Sequence, residues 1–277
     1  MVTLRNDNFE VTLIEEGGQI HSAKNLPTGI EYIHDGINGW GQQNPLLFPM
    51  ISNTLSKEQL INGKTYHMSN HGVVRRALFS VESFDATHAT LVKKADDATL
   101  ALFPFNFELR VDYTLENDGI AINYTVINHD AIEMPFQFGL HPAFKCPLTS
   151  DHNYSDYTIE FEKEETKKGL IGQFELNGKS FALNHGLFEK APTILFDKVN
   201  STWVQMSDGD HGVRVSLNGF DHIAFWTPDT ASLLCIEPWC GHGDLGGEQP
   251  CEFKDRDCTK VVAPNSSWAI NVKYTLF

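Results

Sequence analysis

The sequence predicts an all-β protein, a large antiparallel β-sandwich or a barrel-like closure of the same strands. Three observations predict it: the dominant hydrophobic period is two, short turn signals join the periodic segments, and no long segment carries helical spacing. Side chains alternate between the two faces of a strand, so period two marks strands with one face buried. The chain has 277 residues and no Pro- or Ser-rich linker, which predicts a single domain over residues 1–277.

The elements follow in chain order. "SKEQLI" predicts one turn of helix at most. "NGKTYHMSNHG" (62–72) is echoed, one residue shorter, by "NGKSFALNHG" (177–186). Both read as hairpins that turn on Asn-Gly and end in a polar loop. "FELRVDYTL" alternates Leu109, Val111, Tyr113 and Leu115; "ENDG" turns the chain; "IAINYTVIN" alternates Ile120, Ile122, Tyr124 and Val126. That is an antiparallel hairpin. "STWVQMS", "DGDHG" and "VRVSL" make a second, and "WAINVKYTL" is a closing strand with Trp268, Ile270, Val272, Tyr274 and Leu276 on one face.

Composition bounds the partners. Net charge is −15, from 21 basic and 36 acidic side chains. Such a surface repels nucleic acid and anionic membranes, and it disfavours a phosphorylated substrate unless a local basic pocket exists. The first residues lack the charged-then-apolar design of a signal peptide, and no apolar run approaches the ~18 residues of a membrane helix. Cys146, Cys235, Cys240, Cys251 and Cys258 form no C-x-x-C pair. They read as reduced thiols of a cytoplasmic protein rather than a disulfide frame or a zinc site.

Three polar residues sit in unusual company. His71, in "SNHGVVRR", precedes a glycine that allows close backbone approach to a ligand; a loop histidine capping a hairpin is the plainer reading. His141, in "FGLHPAF", is held extended by the following proline and flanked by aromatic residues. Its plainer reading is a core histidine bonded to a carbonyl. Glu237, in "LLCIEPWCG", ends the apolar run "SLLCI". Glutamate is rarely buried without a partner, and desolvation raises its pKa towards that of a general base. A strand-end glutamate reaching water is the alternative.

Other chemistries find less support. Two histidines and a glutamate can form a zinc or iron triad in space, although no H-x-H or H-E-x-x-H occurs. GxSxG and P-loop signatures are absent, which removes the serine-hydrolase elbow and the P-loop nucleotide fingerprint. A glycosidase needs two acting carboxylates, and only Glu237 stands out.

The motifs "NPLLFP" (44–49), "NHGVVRR" (70–76), "FGLHPAF" (138–144), "FWTP" (225–228) and "CIEPWCG" (235–241) occur in this order. Together with "VTLIEEGGQIHSAKN" at the start and "NSSWAINVKYTL" at the end, they resemble the aldose 1-epimerase (galactose mutarotase-like) family, in particular its lactose-operon-associated branch. The resemblance implies a β-sandwich with a sugar cleft on one sheet and no metal or other cofactor. It implies Glu237 as general base, His141 as general acid and His71 as a second histidine that binds the sugar ring. It also places Asn53, or Thr54 with one inserted residue, where relatives carry a sugar-anchoring arginine, with Arg75 as the nearby replacement. Pro192-Thr193 stand near the family's ring-contacting acidic position, and Asp197 is the substitute that stretch offers. Phe138, Trp226 and Trp239 are the aromatic residues of these motifs, expected as walls of the site or as core.

The expected function is therefore interconversion of the α- and β-anomers of a free hexose such as galactose or glucose. Two alternatives stand beside it. One is an epimerase of a phosphorylated or modified sugar, for which Lys57, Lys64, Arg75 and Arg76 are the concentration of positive charge. The other is a non-catalytic carbohydrate-binding or regulatory protein on the same fold. The partner in each case is a small-molecule sugar.

Overall fold

The computed structural model describes residues 1–228, 231–246 and 248–277. Among these residues the regular secondary structure is nearly all antiparallel strand. The one α-helix is the single turn Asp97–Leu100, with Asp96 and Thr99 forming a reciprocal cap. No described helix is long and apolar enough to cross a membrane.

A nine-stranded sheet forms one layer. Its centre is the predicted hairpin, Phe107–Glu116 against Gly119–Asn128, flanked by the closing strand Ser267–Leu276. The second predicted hairpin, Trp203–Ser207 with Gly212–Ser216, joins the same sheet. A six-stranded sheet faces it, with Thr193–Asp197, His222–Trp226, Leu233–Cys240, Phe138–Leu140 and Leu46–Leu47 in spatial order, and Ala143–Lys145 also pairing with Leu233–Cys240. Tyr124 against Phe138, Phe144 against Tyr274 and Phe161 against Phe225 close the space between the layers. A three-stranded sheet of residues 2–25 opens the chain.

Two local readings need correction. Asn62-Gly63 does turn a hairpin between Gln59–Ile61 and Lys64–Tyr66, with φ of 51° and 74° as a type I′ turn requires. Its echo does not turn. Asn177-Gly178 lies inside the strand Glu175–Ala182, where the pairing register with Thr158–Lys168 shifts and Gly178 takes φ 111°. The end of "SKEQLI" is strand, because Gln59–Ile61 pairs across that first turn.

The strand Leu233–Cys240 decides where the site lies. All eight of its residues are buried. It runs between neighbours within its sheet and has both faces covered, so its sequence reads as a continuous apolar run rather than an alternation. Leu234, Ile236 and Cys240 belong to the main core between the layers, while Cys235 and Trp239 join two small clusters outside it. Glu237 shares their face by the period of two. It is therefore a mid-strand residue, not the strand-end residue that the apolar run suggested.

Candidate active site

Cys235, Glu237 and Trp239 project from one face of this strand, and Ala224 and Trp226 of the neighbouring strand lie opposite Glu237 and Cys235. Gly139 pairs with Trp239, and a Cβ there would stand 2.9 Å from the indole.

His141 follows the strand Phe138–Leu140 on the same face as Gly139. Its chain is pinned on the far side: Ile236 N–H donates to the Pro142 carbonyl at 3.3 Å and Ala143 N–H to the Gln43 carbonyl at 2.7 Å. His141 Nε2 stands 3.4 Å from Glu237 Oε2, and the two side chains are 7% and 1% exposed. Trp40 stacks on the His141 ring, with centroids 4.5 Å apart and planes inclined by 24°. Trp226 meets both rings edge-on.

His71 arrives from a different direction. It takes φ 68° and its N–H donates to the Ser52 carbonyl at 2.9 Å. Ser52 N–H in turn donates to His71 Nδ1 at 3.0 Å. That bond makes Nδ1 the acceptor nitrogen, so the neutral ring carries its proton on Nε2 and can donate from there. The His71 and His141 rings meet at 5.7 Å, edge to face. Gly72 serves the backbone rather than a ligand: its φ is 84°, and a Cβ would stand 2.2 Å from the Phe48 carbonyl oxygen.

Burial sets the proton affinities. It pushes the Glu237 carboxyl well above the usual carboxylate range, against the pull of the Trp239 indole and the Arg75 cation. It holds His141 well below the usual imidazole range, with His71 and Arg75 acting in the same direction. His71 is lowered to about 3, by burial first and Arg75 second. Arg75 reaches the site from its edge, with its guanidinium carbon 5.9 Å from the Trp40 ring.

The remaining sequence candidates divide. Trp226 is half-buried at the site, and Trp239 lies on its face, 3% exposed among Leu47, Ile51, Leu195 and Ala224. Phe138 does not line it. Phe138 precedes Gly139 by one position and so points the other way, into the core against Tyr124 and Trp268. Asn53 is spent on its own loop: its amide donates to the Met68 carbonyl and accepts from Thr54 N–H and Gln59 Nε2. Sequence reasoning missed Trp40 and Cys235. A tryptophan inside the glycine-rich "DGINGWGQ" is the signal that marked the first; Cys235 carried none beyond its spacing of two from Glu237. The metal triad weighed from the two histidines and the glutamate is not the set brought together. At this site the donor atoms within 4.8 Å of one another are those of His141, Cys235 and Glu237, and burial keeps the Cys235 thiol protonated.

The architecture is nearly all-β, with antiparallel sheets facing one another and a buried His–Glu pair on the outer face of one of them. The chain belongs to the aldose 1-epimerase family, whose sequence profile matches residues 1–243. Among curated relatives it is 29% identical over 263 residues to the plasmid-encoded protein LacX of Lactococcus lactis subsp. lactis, covering 87% of each chain, and to the chromosomal LacX to the same extent. Among solved structures it resembles a galactose mutarotase-like protein of Lactobacillus casei ATCC 334, with TM-score 0.92, 26% identity and 100% of both chains covered. A galactose mutarotase related enzyme of Lactobacillus acidophilus gives the same TM-score and identity over 100% of this chain and 97% of that one.

Proposed function

We propose that the protein is an aldose 1-epimerase acting on a free hexose such as galactose or glucose, with Glu237 and His141 as the acid–base pair. The observation that carries this reading is the 3.4 Å separation of His141 Nε2 from Glu237 Oε2 in a buried setting. O1 and O5 of a cyclic hemiacetal are bonded to the same carbon, so an acid and a base serving both must stand side by side. Glu237 takes the O1 proton, His141 protonates O5, and the C1–O5 bond breaks to give the open aldehyde. Rotation about C1–C2 presents the other carbonyl face. O5 closes on it, returning its proton to His141 while Glu237 reprotonates O1. Each positioned group contributes typically ~10²–10⁴-fold.

Carboxylate–imidazolium and carboxylic acid–imidazole forms of the pair hold the same number of protons and differ only in which partner carries one. Burial favours the neutral form in the free protein. Sugar hydroxyls entering the site solvate the charged form that starts the reaction. His71 donates from Nε2 to a sugar oxygen. Arg75 is the cation that reaches the site, whereas Lys57, Lys64 and Arg76 are exposed, with Lys64 over the Tyr66 ring. One cation favours an uncharged hexose over a phosphorylated one.

Polarimetry tests the proposal. Fresh α-D-galactose and α-D-glucose should each relax to their equilibrium rotation faster with protein than without. Glu237→Gln should lower turnover by ~10²–10⁴-fold while sugar binding persists, because base removal acts on the transition state. Sugar binding with no acceleration by the wild-type protein would point instead to a carbohydrate-binding role.

A further inference from the structure

A second cluster lies further along the same sheet. His222, opposite Trp239 on the neighbouring strand, gathers with His242 and Asp257, and one donor atom from each lies within 4.8 Å of the others. We propose that these three residues bind a divalent first-row transition ion of the zinc class, in a site independent of the sugar chemistry.

Four features carry it. First, the His222 side chain is fully buried, yet neither ring nitrogen has a hydrogen-bond partner. An imidazole taken out of water with both nitrogens idle is costly unless something else meets it. Second, each distal nitrogen has an oxygen acceptor beside it. His222 Nδ1 faces Asp197 Oδ1 at 3.3 Å, which leaves Nε2 for an ion. His242 Nδ1 donates to the Gly243 carbonyl at 2.6 Å, which leaves its Nε2 as the lone-pair nitrogen, 3.6 Å from Asp257 Oδ2. A carboxylate or carbonyl on the distal nitrogen is the usual support of a metal-bound histidine.

Third, the spacing fits. Donors about 2.0–2.1 Å from a tetrahedral zinc stand roughly 3.3 Å apart. The His242–Asp257 gap is already near that, and the Asp257 side chain is 73% exposed and free to close the rest. Fourth, the framework is rigid where it needs to be. His222 sits within a strand, and the His242 carbonyl is held at 3.1 Å by the amide of Gln137, itself buried. Two imidazoles and one carboxylate leave a fourth position towards solvent, and imidazole donors favour zinc, copper or nickel over calcium or magnesium. A bound ion would tie the chain after the strand Leu233–Cys240 and the segment around Asp257 to the sheet.

Calorimetric titration of chelator-treated full-length protein with Zn²⁺ tests this, with Co²⁺ as a visible-absorbing probe. The expected result is one equivalent bound, a cobalt d–d spectrum of nitrogen and oxygen donors, and a rise in Tm with added metal. His242→Ala and Asp257→Ala, both outside the core, should each weaken binding by at least ~100-fold, and Asp197→Asn by ~10–100-fold. Cys235→Ser should leave it unchanged. Absence of binding, binding indifferent to His242→Ala and Asp257→Ala, or binding lost in Cys235→Ser would overturn the assignment. The last result would move the ion to the His141–Cys235–Glu237 cluster.

Discussion

Acid should destabilise this fold through His71 in a way that can be isolated. Ser52 N–H points at Nδ1, so protonating that nitrogen sets two donors against each other in a buried site. Burial first, and the Arg75 cation second, keep the ring neutral down to about 3, against an ordinary value of 6.5. Between those values the unfolded chain takes up a proton that the folded chain refuses, so stability is lost as pH falls across that window. From about pH 7 to about pH 4.5 this linkage costs between about 2 and 3 kcal/mol from His71 alone. His141 is displaced in the same direction and adds to the total. His71→Gln keeps an acceptor for Ser52 N–H but has nothing to titrate. The assay is urea unfolding of both proteins at the two pH values. The wild type should lose about 2–3 kcal/mol more than the variant, with unchanged m-values. Equal losses, or an NMR titration of His71 near its ordinary value, would refute the tautomer and the burial argument together.

Two further outcomes follow from the site's construction. Trp40→Ala removes the ring stacked on His141; stacking of this kind is worth about 0.5–1.5 kcal/mol, so kcat/KM for the sugar should fall roughly 2–12-fold, and the His141 titration followed by NMR should move up towards the ordinary imidazole range. Phe138→Ala should instead cost about 3–5 kcal/mol of stability, read by denaturant unfolding, with sugar affinity of the remaining folded protein unchanged, because the side chain lies in the core.

Phe138 and Gly139 also show where sequence reading stops. The alternation that places them on opposite faces is local, and so were the hairpin in which Val111 pairs with Tyr124 and the closing strand through Val272. Each needs only neighbours in sequence and the period of a strand, so the all-β class and the layer that these strands build were legible from the chain. Family motifs carried His71, His141 and Glu237 as a set.

What the chain could not express is which residues meet. The run Leu233–Cys240 is apolar on both faces, so its alternation is silent; only the facing layer shows that Glu237 points out of the core. The Asn177-Gly178 pair has the same turn chemistry as Asn62-Gly63, but pairing across Thr158–Lys168 overrides it. Asn53 looked available until its loop closed on Met68 and Gln59. Trp40 and His222 acquire meaning only through His141 and His242, which lie far from them in sequence. Local propensity is a property of adjacent residues. A site is a property of distances between strands and loops that the chain brings together only when both layers pack, and that packing decided it.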